Sequence, residues 1–117
     1  MQKIKIWHNV KCSKSRIALE LLENNNCDIE VISYVENTPS IEEIKNIINN
    51  IGINARDLMR VEETLYSDLN LSNESLSEDE LISVMHDNPC LIQRPIVIKD
   101  GKAVLGRPLE KVIELIS

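Results

Sequence analysis

The residue best suited to chemistry is Cys12, which lies within the segment HNVKCSKSR at residues 8–16. The alternating residues before it predict a strand, and the apolar spacing after it predicts a helix. Cys12 would therefore face the free backbone N–H groups and the positive dipole end of a helix start, which favour thiolate over thiol. Lys11, Lys14 and Arg16 favour the same charge state. We predict a nucleophilic cysteine with a lowered pKa.

The spacing around this thiol is Cys12-x-x-Ser15, so no second cysteine stands where it could resolve a mixed disulfide. Such a thiol needs another cysteine of the chain or an external thiol. Cys27 and Cys90 are the other cysteines. We expect Cys27 about 15 Å away, at the far end of a helix of roughly ten residues. Both are more simply explained as half-buried structural cysteines.

Two further polar residues could assist Cys12. His8 could stabilise the thiolate as an imidazolium or orient the loop through a hydrogen bond, and a merely structural histidine is an equal alternative. Ser15 can donate a hydrogen bond to the sulfur. Ser13 also offers a hydroxyl beside the sulfur, and helix capping is an equally good explanation of that residue.

The arginines form a second group of candidates, because only five occur in a chain of net charge −6. Arg94 directly precedes a proline and the third predicted strand, Arg107 precedes a proline and the last helix, and Arg60 comes from the middle of the chain. Three guanidiniums that converged on a thiolate would form a site for a tetrahedral oxyanion. Taken singly, each arginine is better explained as a solvated surface charge.

Composition limits the remaining possibilities. A chain of 117 residues predicts one domain, and the acidic balance argues against general nucleic-acid binding. No apolar run approaches the roughly 20 residues of a membrane span. Met1 leads directly into the first strand, which argues against a signal peptide, and three cysteines argue against a disulfide scaffold. We expect a cytoplasmic monomer.

The elements that must position these residues follow the order β-α-β, helical insert, β-β-α, with the insert at about 40–90. The predicted elements are strands at 3–8, 29–33, 94–99 and 102–105, helices at 13–23, 41–51, 55–59, 78–87 and from 108 onward, and a further turn around 65–69. Capping boxes at Ser40/Glu43 and Ser77/Glu80 begin two helices, and Asp100-Gly101 predicts a hairpin. This order is typical of a thioredoxin-like α/β fold with a mixed four-stranded sheet in a single domain, residues 1–117.

Three motifs together resemble a known family. They are His-Asn-x-x-Cys-Ser-x-Ser-Arg at 8–16, Leu-Met-Arg at 58–60, and Arg-Pro-Ile-Val at 94–97 followed by Gly-Arg-Pro at 106–108. In this order and spacing they are similar to the glutaredoxin-linked arsenate reductases (ArsC), most of all the short chromosomal bacterial members, over essentially the whole chain. Val10 departs from the family, in which proline is common.

The resemblance implies roles. Cys12 matches the nucleophile that attacks arsenate to form a thioarsenate adduct, and Arg60, Arg94 and Arg107 match the arginines that bind the oxyanion. His8 and Ser15 match positions associated with a lowered cysteine pKa. Glutathione as co-substrate and glutaredoxin as partner would resolve the adduct and release arsenite. No tightly bound cofactor and no metal are implied.

Two other functions remain as alternatives. An Spx-like regulator that binds RNA polymerase would share the fold, the redox cysteine and the Arg-Pro-Ile segment, but Arg107 favours the enzyme. A general monothiol oxidoreductase acting on glutathionylated proteins is permitted by the Cys-x-x-Ser spacing, but it leaves three arginines unexplained.

Overall fold

The computed structural model describes residues 2–117; the expectation concerning Met1 lies outside the described residues. These residues divide into two compact units, one formed by residues 2–37 and 94–117 and the other by residues 38–93. The predicted insert at 40–90 falls within the second unit. Among residues 2–117, no helix is long and apolar enough to cross a membrane.

The elements follow the predicted order. They are β1 (Lys3–Trp7), α1 (Ser13–Asn24), β2 (Asp28–Ile32), α2 (Ile41–Ile51), α3 (Ala55–Leu58), α4 (Thr64–Asp68), α5 (Glu78–Asp87), a 3₁₀ turn (Pro89–Leu91), β3 (Ile96–Lys99), β4 (Lys102–Leu105) and α6 (Glu110–Ile116). The 3₁₀ turn is the one element that the sequence did not predict.

The first unit contains a four-stranded sheet of order β2-β1-β3-β4. β1 is parallel to β2 and antiparallel to β3, and β3 is antiparallel to β4. The predicted mixed sheet is therefore confirmed. Parallel β1 and β2 end at the same edge of the sheet, so the residues after Trp7 and after Ile32 emerge side by side.

The buried core of this unit joins the sheet to α1 and α6. Its members alternate along the strands and recur at helical spacing: Ile4, Ile6, Ala18, Leu22, Val97, Val112 and Ile116. Because Ala18 and Leu22 face β1, α1 is held with its N-terminus near the carboxyl end of that strand. The core thus fixes where Cys12 stands.

The predicted hairpin forms at Asp100 and Gly101, both of which have positive φ, at 50° and 77°. The final helix differs from its prediction. It begins at Glu110 rather than at Pro108, and Pro108 follows a cis peptide bond. Arg107 Nε instead donates a hydrogen bond to the carbonyl of Arg94, which keeps this segment against the start of β3.

The second unit is helical. Both predicted capping boxes are present: the Ser40 and Ser77 side chains accept from the backbone N–H of Glu43 and Glu80, respectively. α5 packs against α2, α3 and the 3₁₀ turn. A single bridge pairs Met59 with Ile92 and so joins the end of α3 to the segment that returns toward Arg94.

Candidate functional site

Cys12 is the N-cap of α1, with extended φ and ψ of −98° and 121°. Ser13 does not cap the helix, which was one of its two suggested explanations, because it is already the first helical residue. Two hydrogen bonds close the loop before Cys12. The Cys12 N–H donates to the Asn9 carbonyl, and the Lys11 N–H donates to Asn9 Oδ1. The sulfur therefore stands where the first N–H groups of the helix have no helical acceptor.

Behind the loop, Ser15 Oγ and His8 Nδ1 share a hydrogen bond of 2.7 Å, and both residues are buried. Ser15 Oγ also accepts from the Asn9 N–H. The hydroxyl therefore ties the loop to the helix, which differs from the donation to the sulfur expected from the sequence. It is the backbone N–H of Ser15 that acts on Cys12.

The charge state of His8 bears on its suggested role toward the thiolate. Burial, and then the charge of Arg16, lowers the pKa of His8 below its usual value, so the ring is neutral at pH 7. This argues against an imidazolium partner for the thiolate. The hydrogen bond to Ser15 supports the alternative in which His8 orients the loop.

Two of the three candidate arginines meet Cys12. Arg107 donates to Cys12 Sγ at 3.5 Å, and Arg94 makes a side-chain hydrogen bond with the same sulfur. Arg107 Nε also donates a hydrogen bond of 2.8 Å to the Arg94 carbonyl, which holds the two arginines next to each other. The Arg94–Pro95 peptide is cis.

These contacts set the acidity of the thiol. Burial alone raises the pKa of Cys12, but the Ser15 N–H, the Arg94 guanidinium and the Lys14 N–H together lower it to about 7. About half of the thiol is then ionised at neutral pH. The prediction of a lowered pKa agrees with this geometry, which combines helix N–H groups with a charged hydrogen bond.

Tyr34 is a site residue that sequence reasoning missed. It is fully buried, its ring stacks on Trp7 with centroids 6.3 Å apart, and its hydroxyl is hydrogen bonded to Arg94. Burial alone lowers the pKa of Arg94, but the contacts with Cys12 and Tyr34 raise it. Tyr34 lies just after β2, at the sheet edge where β1 leads into the Cys12 loop. That shared edge was the available signal.

For the remaining candidates, Arg60, Cys27 and Cys90, the structure shows other surroundings. Arg60 belongs to the second unit, where its guanidinium pairs with Glu63 at 2.7 Å and Glu62 at 3.2 Å. Its role toward the oxyanion stays a prediction. Cys27 and Cys90 are half-buried free thiols, and Cys27 packs against the core of the first unit.

The site can perform nucleophilic attack on an anion. It offers a thiolate, two guanidiniums and neutral hydrogen-bonding supports, and no group of three or more His, Cys, Asp or Glu in residues 2–117 could hold a metal. Fixed cationic donors are worth most in a partly desolvated site, such as that around Cys12, which is 9% exposed. Positive charge is thus concentrated locally in a chain that is acidic overall.

Known proteins are similar to this chain over nearly its whole length. Residues 7–115 match the model of the ArsC family. The arsenate reductase of Neisseria meningitidis is 47% identical over 113 residues, which cover 96% of this chain and 97% of that protein. An Escherichia coli arsenate reductase is 37% identical, with coverages of 100% and 83%. A solved arsenate reductase from Vibrio cholerae has 47% identity and a TM-score of 0.94 over 97% of both chains.

Proposed function

Since this chain belongs to the ArsC family, we propose that it is an arsenate reductase in which Cys12 is the nucleophile. The observation that carries the proposal is the Cys12 thiol itself, with a pKa of about 7 and hydrogen bonds from both Arg94 and Arg107. A general thiol reductase would need the lowered pKa but not the paired guanidiniums. An oxyanion substrate needs both.

In the first step, the Cys12 thiolate attacks the arsenic(V) atom of arsenate. An S–As bond forms, one As–O bond breaks, and the departing oxygen leaves as water after it takes up protons. Thiolate and arsenate are both anions, so the guanidiniums of Arg94 and Arg107 must offset their repulsion. Each planar guanidinium can bind two oxygens of a tetrahedral anion. The role of Arg60, which pairs with Glu62 and Glu63 in the second unit, stays a prediction from the family resemblance.

External thiols then supply the two electrons. The glutathione thiol replaces a second oxygen on arsenic, with loss of water. A glutaredoxin thiolate attacks the glutathione sulfur, the S–As electron pair remains on arsenic, and arsenic(V) becomes arsenic(III). The two thiols leave as one mixed disulfide, and water hydrolyses the Cys12–As bond to release arsenite. Because residue 15 is a serine bonded to His8, an external resolving thiol fits this site. This chemistry requires a reducing compartment such as the cytoplasm.

The experiment is a coupled assay of arsenate-dependent NADPH oxidation with glutathione, glutaredoxin and glutathione reductase. We expect Cys12→Ser to abolish turnover, because a hydroxyl at this position does not ionise near pH 7. Cys27→Ser is the matched control and should keep wild-type turnover. Arg94→Ala should raise the arsenate KM more than it lowers the rate at saturation.

Different outcomes refute different parts of the proposal. A Cys12→Ser protein that still reduces arsenate would exclude this nucleophile. Turnover that continues when thioredoxin replaces glutathione and glutaredoxin would retain arsenate reduction and exclude the proposed donors. A wild-type protein that turns over only a glutathione mixed disulfide would indicate a monothiol oxidoreductase. Capture of the RNA polymerase alpha subunit without arsenate reduction would indicate the Spx-like alternative.

A further inference from the structure

A groove of about 240 Å³ lies in the first unit beside Cys12. It is lined by Lys14, Ile17, Gly106, Arg107, Pro108 and Leu109. Its lining includes Arg107, whose guanidinium is 3.5 Å from Cys12 Sγ. Lys14 follows Cys12 by two residues, in the first turn of α1. A single side chain, that of Arg107, therefore both lines the groove and contacts the reactive sulfur.

The lining combines apolar side chains with two cationic ones. Ile17 is 51% exposed, although it is an isoleucine, and Pro108 and Leu109 complete the apolar surface. Lys14 and Arg107 supply two positive charges, and no carboxylate side chain lines the groove. A complementary occupant has an uncharged central portion and a net negative charge.

The chemistry of Cys12 adds a third requirement for the occupant. The loop around Cys12 has no second cysteine, so the sulfur that resolves the adduct must come from elsewhere. Ser15 occupies the position of a resolving cysteine, and Cys27 packs against the core of the first unit. The occupant of a groove that opens beside Cys12 is therefore best matched by a small anionic thiol.

We propose that this groove binds glutathione and directs its sulfur toward Cys12. Glutathione is a tripeptide with two carboxylates and one ammonium group, so its net charge near pH 7 is negative. Its carboxylates would pair with Lys14 and Arg107, and its chain would lie across Ile17 and Pro108. This inference rests on the proposed use of glutathione, and it assigns that reactant a place in the first unit.

The test uses thiol–disulfide exchange, which needs no arsenate. The Cys12 thiolate attacks one sulfur of glutathione disulfide, a Cys12–glutathione bond forms, the original S–S bond breaks, and glutathione leaves as a thiolate. The comparison reagent is 2-hydroxyethyl disulfide, which is neutral and lacks the peptide. The ratio of the two second-order rate constants cancels any change in Cys12 itself. Cys27→Ser and Cys90→Ser in every protein leave Cys12 as the one thiol.

In this background, Ile17→Glu should lower the ratio roughly tenfold, because it places a carboxylate among the apolar residues that line the groove. Lys14→Gln should lower it by roughly threefold through the loss of one cation. Val31→Glu is the matched control, since Val31 is 46% exposed on the edge strand β2 and does not line the groove. It should leave the ratio unchanged.

A ratio that stays at the wild-type value in both Ile17→Glu and Lys14→Gln would overturn the proposal. So would an unchanged ratio accompanied by loss of glutaredoxin-dependent turnover, which would assign the groove to a protein partner. If the wild-type protein reduces no arsenate but the ratio falls as expected, the proposed function fails and the glutathione groove stands. The two conclusions are thus separable.

Discussion

The contact between Arg94 and Cys12 gives a prediction that can be worked through in numbers. Arg94→Met removes the guanidinium and its hydrogen bond to the sulfur but keeps an unbranched side chain of similar length. The backbone N–H groups of Ser15 and Lys14 also lower the pKa of Cys12, so the upper limit of the change is a rise from about 7 to the ordinary cysteine value of about 8.5. At that limit, the ionised fraction at pH 7 falls from about one half to about 3%.

The rate falls by less than this fraction, because a more basic thiolate is also a stronger nucleophile. With a Brønsted coefficient of about 0.45, a rise of about 1.5 pKa units makes the thiolate about fivefold more reactive. The net loss at pH 7 is therefore about threefold, whereas at pH 10 the variant reacts about fivefold faster than the wild type. The two pH–rate profiles should cross near pH ~8.

The assay is alkylation of Cys12 by iodoacetamide between pH 5 and pH 10, in proteins that carry Cys27→Ser and Cys90→Ser. Lys5→Met is the control, because it removes an exposed cation of β1 from the same unit. Its profile should match that of the wild type. An Arg94→Met profile with an unchanged midpoint and no crossing would refute the reasoning, and would assign the lowered pKa to the backbone N–H groups.

Two further substitutions test the supports of the site. Tyr34→Phe removes the hydroxyl bonded to Arg94 and keeps the stacking on Trp7, so we expect the arsenate KM to rise roughly fivefold, as for the loss of about 1 kcal/mol. An unchanged KM in a titration of arsenate would contradict this role. Gly106→Ala would place a Cβ 2.5 Å from Pro95 Cγ, so urea unfolding should show a loss of about 1–3 kcal/mol. An unchanged free energy of unfolding would mean that the segment around Pro95 can move away from the added Cβ without cost.

Much of the fold could be predicted because its signals are local. The two capping boxes, the Asp100-Gly101 turn and the change from alternating to helical spacing each lie within a few residues, and all appear in the structure. The order of these elements then leaves few possible sheets. Two strands joined by a helix are parallel, and two strands joined by a two-residue turn are antiparallel.

The details of the site could not be predicted because they depend on contacts between distant parts of the chain. The start of α6 shifts to Glu110 while Arg107 Nε is bonded to the Arg94 carbonyl, thirteen residues earlier. The Ser15 hydroxyl acts on His8 rather than on the sulfur, a choice that depends on how the loop folds back. Tyr34 gains its role through a neighbouring strand and through Arg94. Residue types alone do not report such partners.

The first unit is assembled from both ends of the chain, with β1 paired to β2 on one side and to β3 on the other. A growing polypeptide therefore exposes Cys12 early, when Arg94 and Arg107 have not yet been synthesised. During that interval Cys12 lacks these guanidiniums, and only the local N–H groups of Ser15 and Lys14 can lower its pKa. The full acidity of the thiol therefore depends on residues that lie more than 80 positions later in the sequence.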